Sequence, residues 1–243
     1  MSLELDKNND FYNLGIISKT DKIYQHGYHF IYPFFLERYK NIKNMGMIEI
    51  GVENKFSINL WLNYFQNAFI YGMDINFEDK GEKYEIYKGD QSNKDDVNKF
   101  AENIKTPIFF IMDDGSHIPE HQILTFDILF EKLEPGGTYI IEDIETSYWS
   151  KSYIYKYNTN YGYKHKNSVI EFFKSLIDDI NSEFLTEENK NIQKSIINEK
   201  INENNRNNIS SILFYHNCII ITKKTNEELN FYGKREYFWK EKL

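Results

Sequence analysis

From residue 47 onward the chain alternates short apolar runs with longer amphipathic stretches. MIEIGV (47–52), FIYGMDI (69–75), YEIYKGD (84–90), PIFFIMDD (107–114) and GTYIIEDI (137–144) each read as a buried strand. Helical patterns lie between them: NKFSINLWLNYFQ (54–66), KDDVNKFAENI (94–104) and IPEHQILTFDILFEKL (118–133). Pro119 suits the first turn of the last of these, and EPGG stops it. Continuous apolar strands separated by helices predict a parallel sheet covered on both faces. SVIEFFKSLIDDI (168–180) opens with a Ser168–Glu171 capping box. Residues 181–208 are polar and asparagine-rich, and read as a surface helix with loops, or an insertion. SSILFYHN and CIIITKK then predict two strands around a tight His216–Asn217 turn, an antiparallel hairpin. The first 46 residues carry an aromatic cluster, HGYHFIYPFFLERY, which suggests a helical cap.

Charge and cysteine usage narrow the function classes. The formal net charge of −8, with no long basic run, argues against a chain that tracks a nucleic-acid backbone. The single cysteine, Cys218, excludes an intramolecular disulfide and lies in an apolar run that suits a small buried side chain. The N-terminus MSLELDKNND has no apolar signal region, and no apolar stretch approaches the roughly 20 residues needed to span a bilayer. A soluble, cytoplasmic protein is expected.

Every predicted parallel strand ends on a carboxylate: Glu49, Asp74, Asp90, Asp114 and the pair Glu142–Asp143. Ligands of open parallel sheets bind beyond these strand ends. Asp74 follows Glu49 by one βαβ interval, where an acid can accept hydrogen bonds from ribose hydroxyls. Gly51 lets the backbone approach a ligand closely. The loop GVENKF holds one glycine only, which suits a cofactor whose amino-acid part offers an ammonium and a carboxylate better than it suits a dinucleotide.

IEIGVENKFSINLW, GMDIN, KGDQS, MDDGSHIPEHQ and IIEDIETSYW together resemble class I S-adenosylmethionine-dependent methyltransferases. Within these they resemble the metal-dependent sugar O-methyltransferases of the macrolide (mycinamicin) type and their relatives in polysaccharide biosynthesis. DKIYQHGYHFIYPFF resembles the segment preceding the first strand in that group, so the likeness runs over roughly residues 18–150, with hairpin strands expected near 210–224. The resemblance implies a Rossmann-like α/β fold: a mostly parallel seven-stranded sheet, a C-terminal antiparallel hairpin and an N-terminal helical cap. It implies one domain across residues 1–243, with a cap to 46, a cofactor-binding core over 47–145, a substrate-side segment and helical insertion over 146–209, and the hairpin and tail from 210. It places Glu49, Gly51 and Ser57 around the methionine part of the cofactor, Asp74 at the ribose, Asp90 and Gln91 on the adenine side, and Asp113 also at the cofactor. The family loop carries a further glycine before the serine, where this chain has Asn54–Lys55.

If the strands ending at Asp114 and Glu142 are neighbours, roughly 4.8 Å apart, then Asp114, Glu142 and Asp143 converge. Their mutual repulsion calls for a cation. Oxygen-only ligation favours Mg²⁺, with Mn²⁺ or Ca²⁺ as substitutes. Methyl transfer to a sugar hydroxyl needs a base, and His117, three residues past Asp114, matches the family's general-base histidine. His121 suits a helix surface, and Glu145 a supporting position. The contrary reading makes Asp113–Asp114 a helix-entry pair and His117 a turn residue.

Residues 147–166, SYWSKSYIYKYNTNYGYKHK, carry six tyrosines, four lysines and no acid. Aromatic faces pack on sugar rings and lysines pair with phosphates, so Tyr148 and Trp149, with Tyr28 and His26 from the cap, are candidates to contact an activated sugar. An irregular aromatic surface or a contact between copies of the chain fits the same residues. Three functions stay open: a Mg²⁺-dependent methyltransferase acting on a nucleotide-linked sugar or surface-polysaccharide precursor, one acting on a small non-sugar alcohol or phenol, and a non-catalytic cofactor-binding protein.

Overall fold

The computed structural model describes residues 10–156, 158–159, 161–197 and 200–234. They fall into two compact units, one ending at Gly115 and the other beginning at Ser116.

The first unit opens with the helical cap: α1 (Asp10–Ser18), α2 (Asp21–Tyr24) and α3 (Tyr32–Leu36), with short 3₁₀ turns after α2 and α3. Thr20 caps α2 through its side chain, and Pro33 sits in the first turn of α3, where a missing N–H costs nothing. The strands β1 (Gly46–Ile50), β2 (Phe69–Asp74), β3 (Asp79–Lys80), β4 (Tyr84–Lys88) and β5 (Ile108–Asp113) follow, with α4 (Phe56–Tyr64) and α5 (Lys94–Asn103) as crossovers. Their order across the sheet is β3-β4-β2-β1-β5. β1 pairs in parallel with β2 and β5, and β2 with β4; only β3–β4 is antiparallel. All five residues of β1 are buried, as a central parallel strand requires. Phe11 of the cap packs against Trp61 of α4 at 5.8 Å between ring centroids, and Trp61 meets Phe110 of β5 edge-on at 5.3 Å. Each such buried aromatic side chain contributes on the order of 1.5–3 kcal/mol.

The second unit holds α6 (Pro119–Leu129), β6 (Leu133–Glu142), α7 (Val169–Ser175), α8 (Ile177–Ile180), α9 (Glu187–Ile197), α10 (Glu203–Asn207), β7 (Ile209–Tyr215), β8 (Cys218–Lys223) and α11 (Asn226–Lys234). β8 pairs antiparallel with both β6 and β7. Phe126 of α6 joins Tyr139 of β6 and Phe173 of α7, each at 5.0 Å. Cys218 is buried and reduced. No helix among the described residues is long and apolar enough to cross a membrane.

Two expectations need correction. Eight strands are present among the described residues rather than seven, and the pairing is mixed. The additional strand, β3, has only two residues, and no apolar run marks it. EPGG was expected to stop the preceding helix, with the fifth strand beginning only at Gly137, yet β6 begins at Leu133 and takes in all four residues. The α-helix before it stops at Leu129, followed by one 3₁₀ turn. The free carbonyls there are taken by Lys223 of β8, whose Nζ donates to Phe130, Glu131 and Leu133. That partner lies about ninety residues away, beyond the reach of a local pattern.

Candidate active site

In the first unit, the tip of β1 is built around an acid with no access to water. Glu49 is fully buried; Ser57 Oγ donates to its Oε2 over 2.8 Å and Trp61 Nε1 to its Oε1 over 3.0 Å. Burial pushes its carboxyl up to about 7, opposed by the charge of Lys22 and by the Trp61 bond. Gly51 has φ 81, and a Cβ there would lie 2.1 Å from the Asp114 carbonyl oxygen. Only glycine fits that crossing. Asp74 is spent largely on this loop: its Oδ2 accepts from the Val52 and Glu53 N–H groups at 3.1 and 2.9 Å, and its Oδ1 from Asn76 at 2.8 Å. The remaining lone pair on Oδ1 is what Asp74 can still offer a ribose.

Lys55 occupies left-handed backbone at φ 64, at the place where the family resemblance calls for a glycine. Its ammonium reaches Asp79 Oδ2 at 2.6 Å, and Tyr84 OH donates to the same oxygen at 2.9 Å. The lysine is thus anchored by the short strand that the apolar pattern does not show. Gln91 is buried, and its Nε2 donates to Asp113 Oδ1 over 2.7 Å, so these two expected cofactor residues bind each other. Asp90 closes a turn by accepting from Ser92 N–H. Tyr28 is fully buried and stacks on Tyr32 and His26 at 4.7 and 5.2 Å, inside the cap.

Asp114 follows β5, and its N–H continues the ladder to the Ile50 carbonyl. Its Oδ2 lies 2.5 Å from the ammonium of Lys22, a residue of α2 that is 1% exposed. The sequence reading passed over Lys22. Its one signal is a lysine set in the aromatic cap segment, which usually denotes a solvated face.

In the second unit His117 stands at φ 56, just before Ile118 caps α6. Its Nε2 lies 3.8 Å from Asp143 Oδ2, and its buried Nδ1 has no hydrogen-bond partner among the described residues. His121 is tied to Ser116 Oγ through Nδ1 at 2.8 Å. Glu142 ends β6 with its side chain buried, and its carbonyl accepts from Gln122 Nε2. Asp143 follows at φ 53, off the strand. Two residues with no site role in the sequence reading hold it: Asn217 Nδ2 donates to Oδ1 at 2.9 Å, and Tyr155 OH lies 3.1 Å from Oδ2. Tyr155 OH also lies 2.8 Å from Glu145 Oε1, and its ring packs on His117 at 4.9 Å. Burial and the two carboxylates push this phenol well above its ordinary range, so it stays a donor. Tyr148 is exposed and stacks with Tyr163, while the Trp149 carbonyl accepts from Thr159.

The donors suit a hard cation. Asp143 accepts neutral hydrogen bonds on both oxygens, from Asn217 and Tyr155, which add no positive charge beside it. Glu145 Oε2 is buried with no partner among the described residues, as is His117 Nδ1. Such orphan polar atoms beside a carboxylate call for a partner, and the Glu145 oxygen, an acceptor, for a cation or a proton.

No family model matches the chain. Among solved structures, it superposes on the MycE methyltransferase of the mycinamycin biosynthetic pathway with TM-score 0.74 and 25% identity, covering 95% of this chain and 57% of that one. The chain has an α/β methyltransferase fold. That structure is a complex with Mg, SAH and mycinamycin VI. Curated relatives include a rhamnosyl tetracenomycin-C 2'-O-methyltransferase of Streptomyces olivaceus, 38% identical over 95 residues (38% of this chain, 25% of the relative). Demethylmacrocin O-methyltransferase of Streptomyces fradiae is 32% identical over 132 residues (50% and 33%). Mycinamicin VI 2''-O-methyltransferase of Micromonospora griseorubida is 27% identical over 216 residues (82% and 49%). The chain therefore spans between a quarter and a half of the length of these relatives.

Proposed function

We propose that this chain is a Mg²⁺-dependent O-methyltransferase that moves a methyl group from S-adenosylmethionine to a hydroxyl of a sugar. We take the acceptor to be a nucleotide-linked sugar or a surface-polysaccharide precursor. The observation that carries the reading is His117: a buried imidazole on strained left-handed backbone, with one nitrogen facing Asp143 and the other unpartnered among the described residues.

In this reading Asp114, Glu142 and Asp143 hold the metal. Mg²⁺ bound by them would supply Lewis acidity that makes a sugar hydroxyl easier to deprotonate. His117 takes the hydroxyl proton as the oxygen attacks the sulfonium methyl in line, and the sulfur keeps the electron pair of the broken bond. Tyr155 braces the imidazole by packing on it and keeps Asp143 from turning away. Glu49, Ser57 and the Gly51 turn form the methionine end of the cofactor site, with Asp74 at the ribose, Asp90 and Gln91 toward the adenine, and Asp113 also at the cofactor. Tyr148 and Trp149 are offered to the sugar ring, and lysines of the same segment to a phosphate. Tyr28 enters only by backing the cap, since it is fully buried. We take the chain to act as one methyltransferase domain, in the cytoplasm, with self-association possible through its exposed aromatic residues.

The test is methyl transfer from labelled S-adenosylmethionine to a panel of nucleotide sugars and small phenols, with Mg²⁺ or EDTA. His117→Ala is expected to lower turnover by about 10²–10⁴-fold, while the Kd for S-adenosylhomocysteine stays within about twofold, because no cofactor contact is assigned to that residue. Undiminished turnover in His117→Ala removes the base assignment. EDTA-resistant turnover removes the metal, and turnover of phenols alone removes the sugar.

A further inference from the structure

We propose that Asn217 is a positioning residue for Asp143, alongside Tyr155, so that the turn of the C-terminal hairpin sets the direction of a metal ligand. The inference rests on the reading of Asp143 as a ligand. Asp143 has φ 53 and lies past the last residue of β6, where the strand ladder no longer holds the chain. Asn217 takes over from the ladder with three bonds. Its Nδ2 donates to Asp143 Oδ1 at 2.9 Å, its Oδ1 accepts from the Glu145 N–H at 3.0 Å, and its carbonyl accepts from the Ile144 N–H at 3.4 Å.

The two ends of the amide are used in opposite senses, and this fixes its orientation. Exchanging oxygen and nitrogen would set oxygen against carboxylate and N–H against N–H. The amide is also well anchored. Asn217 sits at φ 57 in the two-residue turn between β7 and β8, whose ladder runs up to the pair Tyr215–Cys218. β8 is in turn paired with β6 up to Glu142–Cys218, next to Asp143 itself. The donor and its target are therefore held in one antiparallel register, although 74 positions separate them. A neutral donor on Oδ1 adds no charge to compete with a cation. It fixes how the carboxylate is turned, and loss of such a partner weakens metal affinity by about 10–100-fold.

The experiment titrates Mn²⁺ calorimetrically into the 243-residue chain saturated with S-adenosylhomocysteine, for the parent and for Asn217→Gly, Asn217→Asp and Asp143→Asn. Glycine keeps the left-handed turn and deletes only the side-chain bonds. Asn217→Asp keeps the bond from Glu145 and sets a carboxylate, instead of an N–H, against Asp143. Both Asn217 variants are expected to lose about 10–100-fold in Mn²⁺ affinity, with S-adenosylhomocysteine affinity unchanged and the Mg²⁺ concentration for half-maximal turnover raised in step. A merely structural role would lower the Tm without moving the metal affinity of the folded fraction. Parental or tighter Mn²⁺ binding by either folded Asn217 variant, with Asp143→Asn impaired, overturns the proposal. Parental binding by Asp143→Asn overturns the reading of Asp143 as a ligand, a distinct result.

Discussion

Replacing Glu49 by Gln changes one atom of a fully buried side chain and removes its ability to ionise. Gln can keep both neighbours: its Oε1 accepts from Trp61 Nε1, and its Nε2 donates to Ser57 Oγ, which now acts as acceptor. The electrostatics differ. Burial raises the Glu49 carboxyl from its ordinary 4.5 to about 7, even with Lys22 and Trp61 pulling it down. Below pH 4.5 the acid is protonated in both folded and unfolded chains and costs nothing. Between 4.5 and 7 the folded chain keeps a proton that the unfolded chain has lost, so stability falls as pH rises, by about 1.4 kcal/mol per pH unit. Above 7 the full penalty is present, and a rise of this size amounts to about 3 kcal/mol. Urea denaturation followed by far-UV circular dichroism, without metal or cofactor, should show parent and Glu49→Gln alike near pH 4.5. The variant should be more stable by about 3 kcal/mol at pH 8. Groups that titrate in both chains cancel in the difference. A difference that stays flat from pH 4.5 to 8, or a variant less stable at pH 8, refutes the account of Glu49 as a carboxyl held neutral by burial.

Gly51→Ala should cost about 2–4 kcal/mol, combining left-handed strain with overpacking against the Asp114 carbonyl; thermal unfolding reads it, and an unchanged Tm contradicts the close crossing. Lys22→Met breaks an ion pair between a buried lysine and a partly exposed aspartate and should destabilise the metal-free chain by about 1–3 kcal/mol. Part of that loss should return on adding Mg²⁺ if Asp114 is a ligand, and a Tm insensitive to both changes denies the pair any role. Tyr155→Phe removes the donor shared by Asp143 and Glu145 and should lower turnover more than S-adenosylhomocysteine affinity, read by paired kinetics and calorimetry; equal losses in both would point to a folding defect.

What the sequence determined by itself is what depends on near neighbours along the chain. The strands β1, β2 and β5 were legible because buried parallel strands are continuous apolar runs, β4 because its aromatic and β-branched residues lie ahead of a turn signal, and each acid at a strand's end had to lie at one edge of the sheet. The His216–Asn217 hairpin and the Ser168 cap were legible because turn and cap chemistry is local. Only the tertiary structure decided the rest. Strand β3 exists because two residues happen to pair with β4 and anchor Lys55, and two residues make no pattern. The same holds for three side chains that hold the site's acids: Lys22 on Asp114, across 92 positions, Asn217 on Asp143, across 74, and Tyr155 between Asp143 and Glu145. A lysine in a cap, an asparagine in a turn and a tyrosine in an aromatic loop each have an ordinary local explanation. The apolar pattern says which residues leave water, whereas the partner of a buried polar group is chosen by which distant backbone comes within 3 Å of it, and no local window along the chain contains that distance.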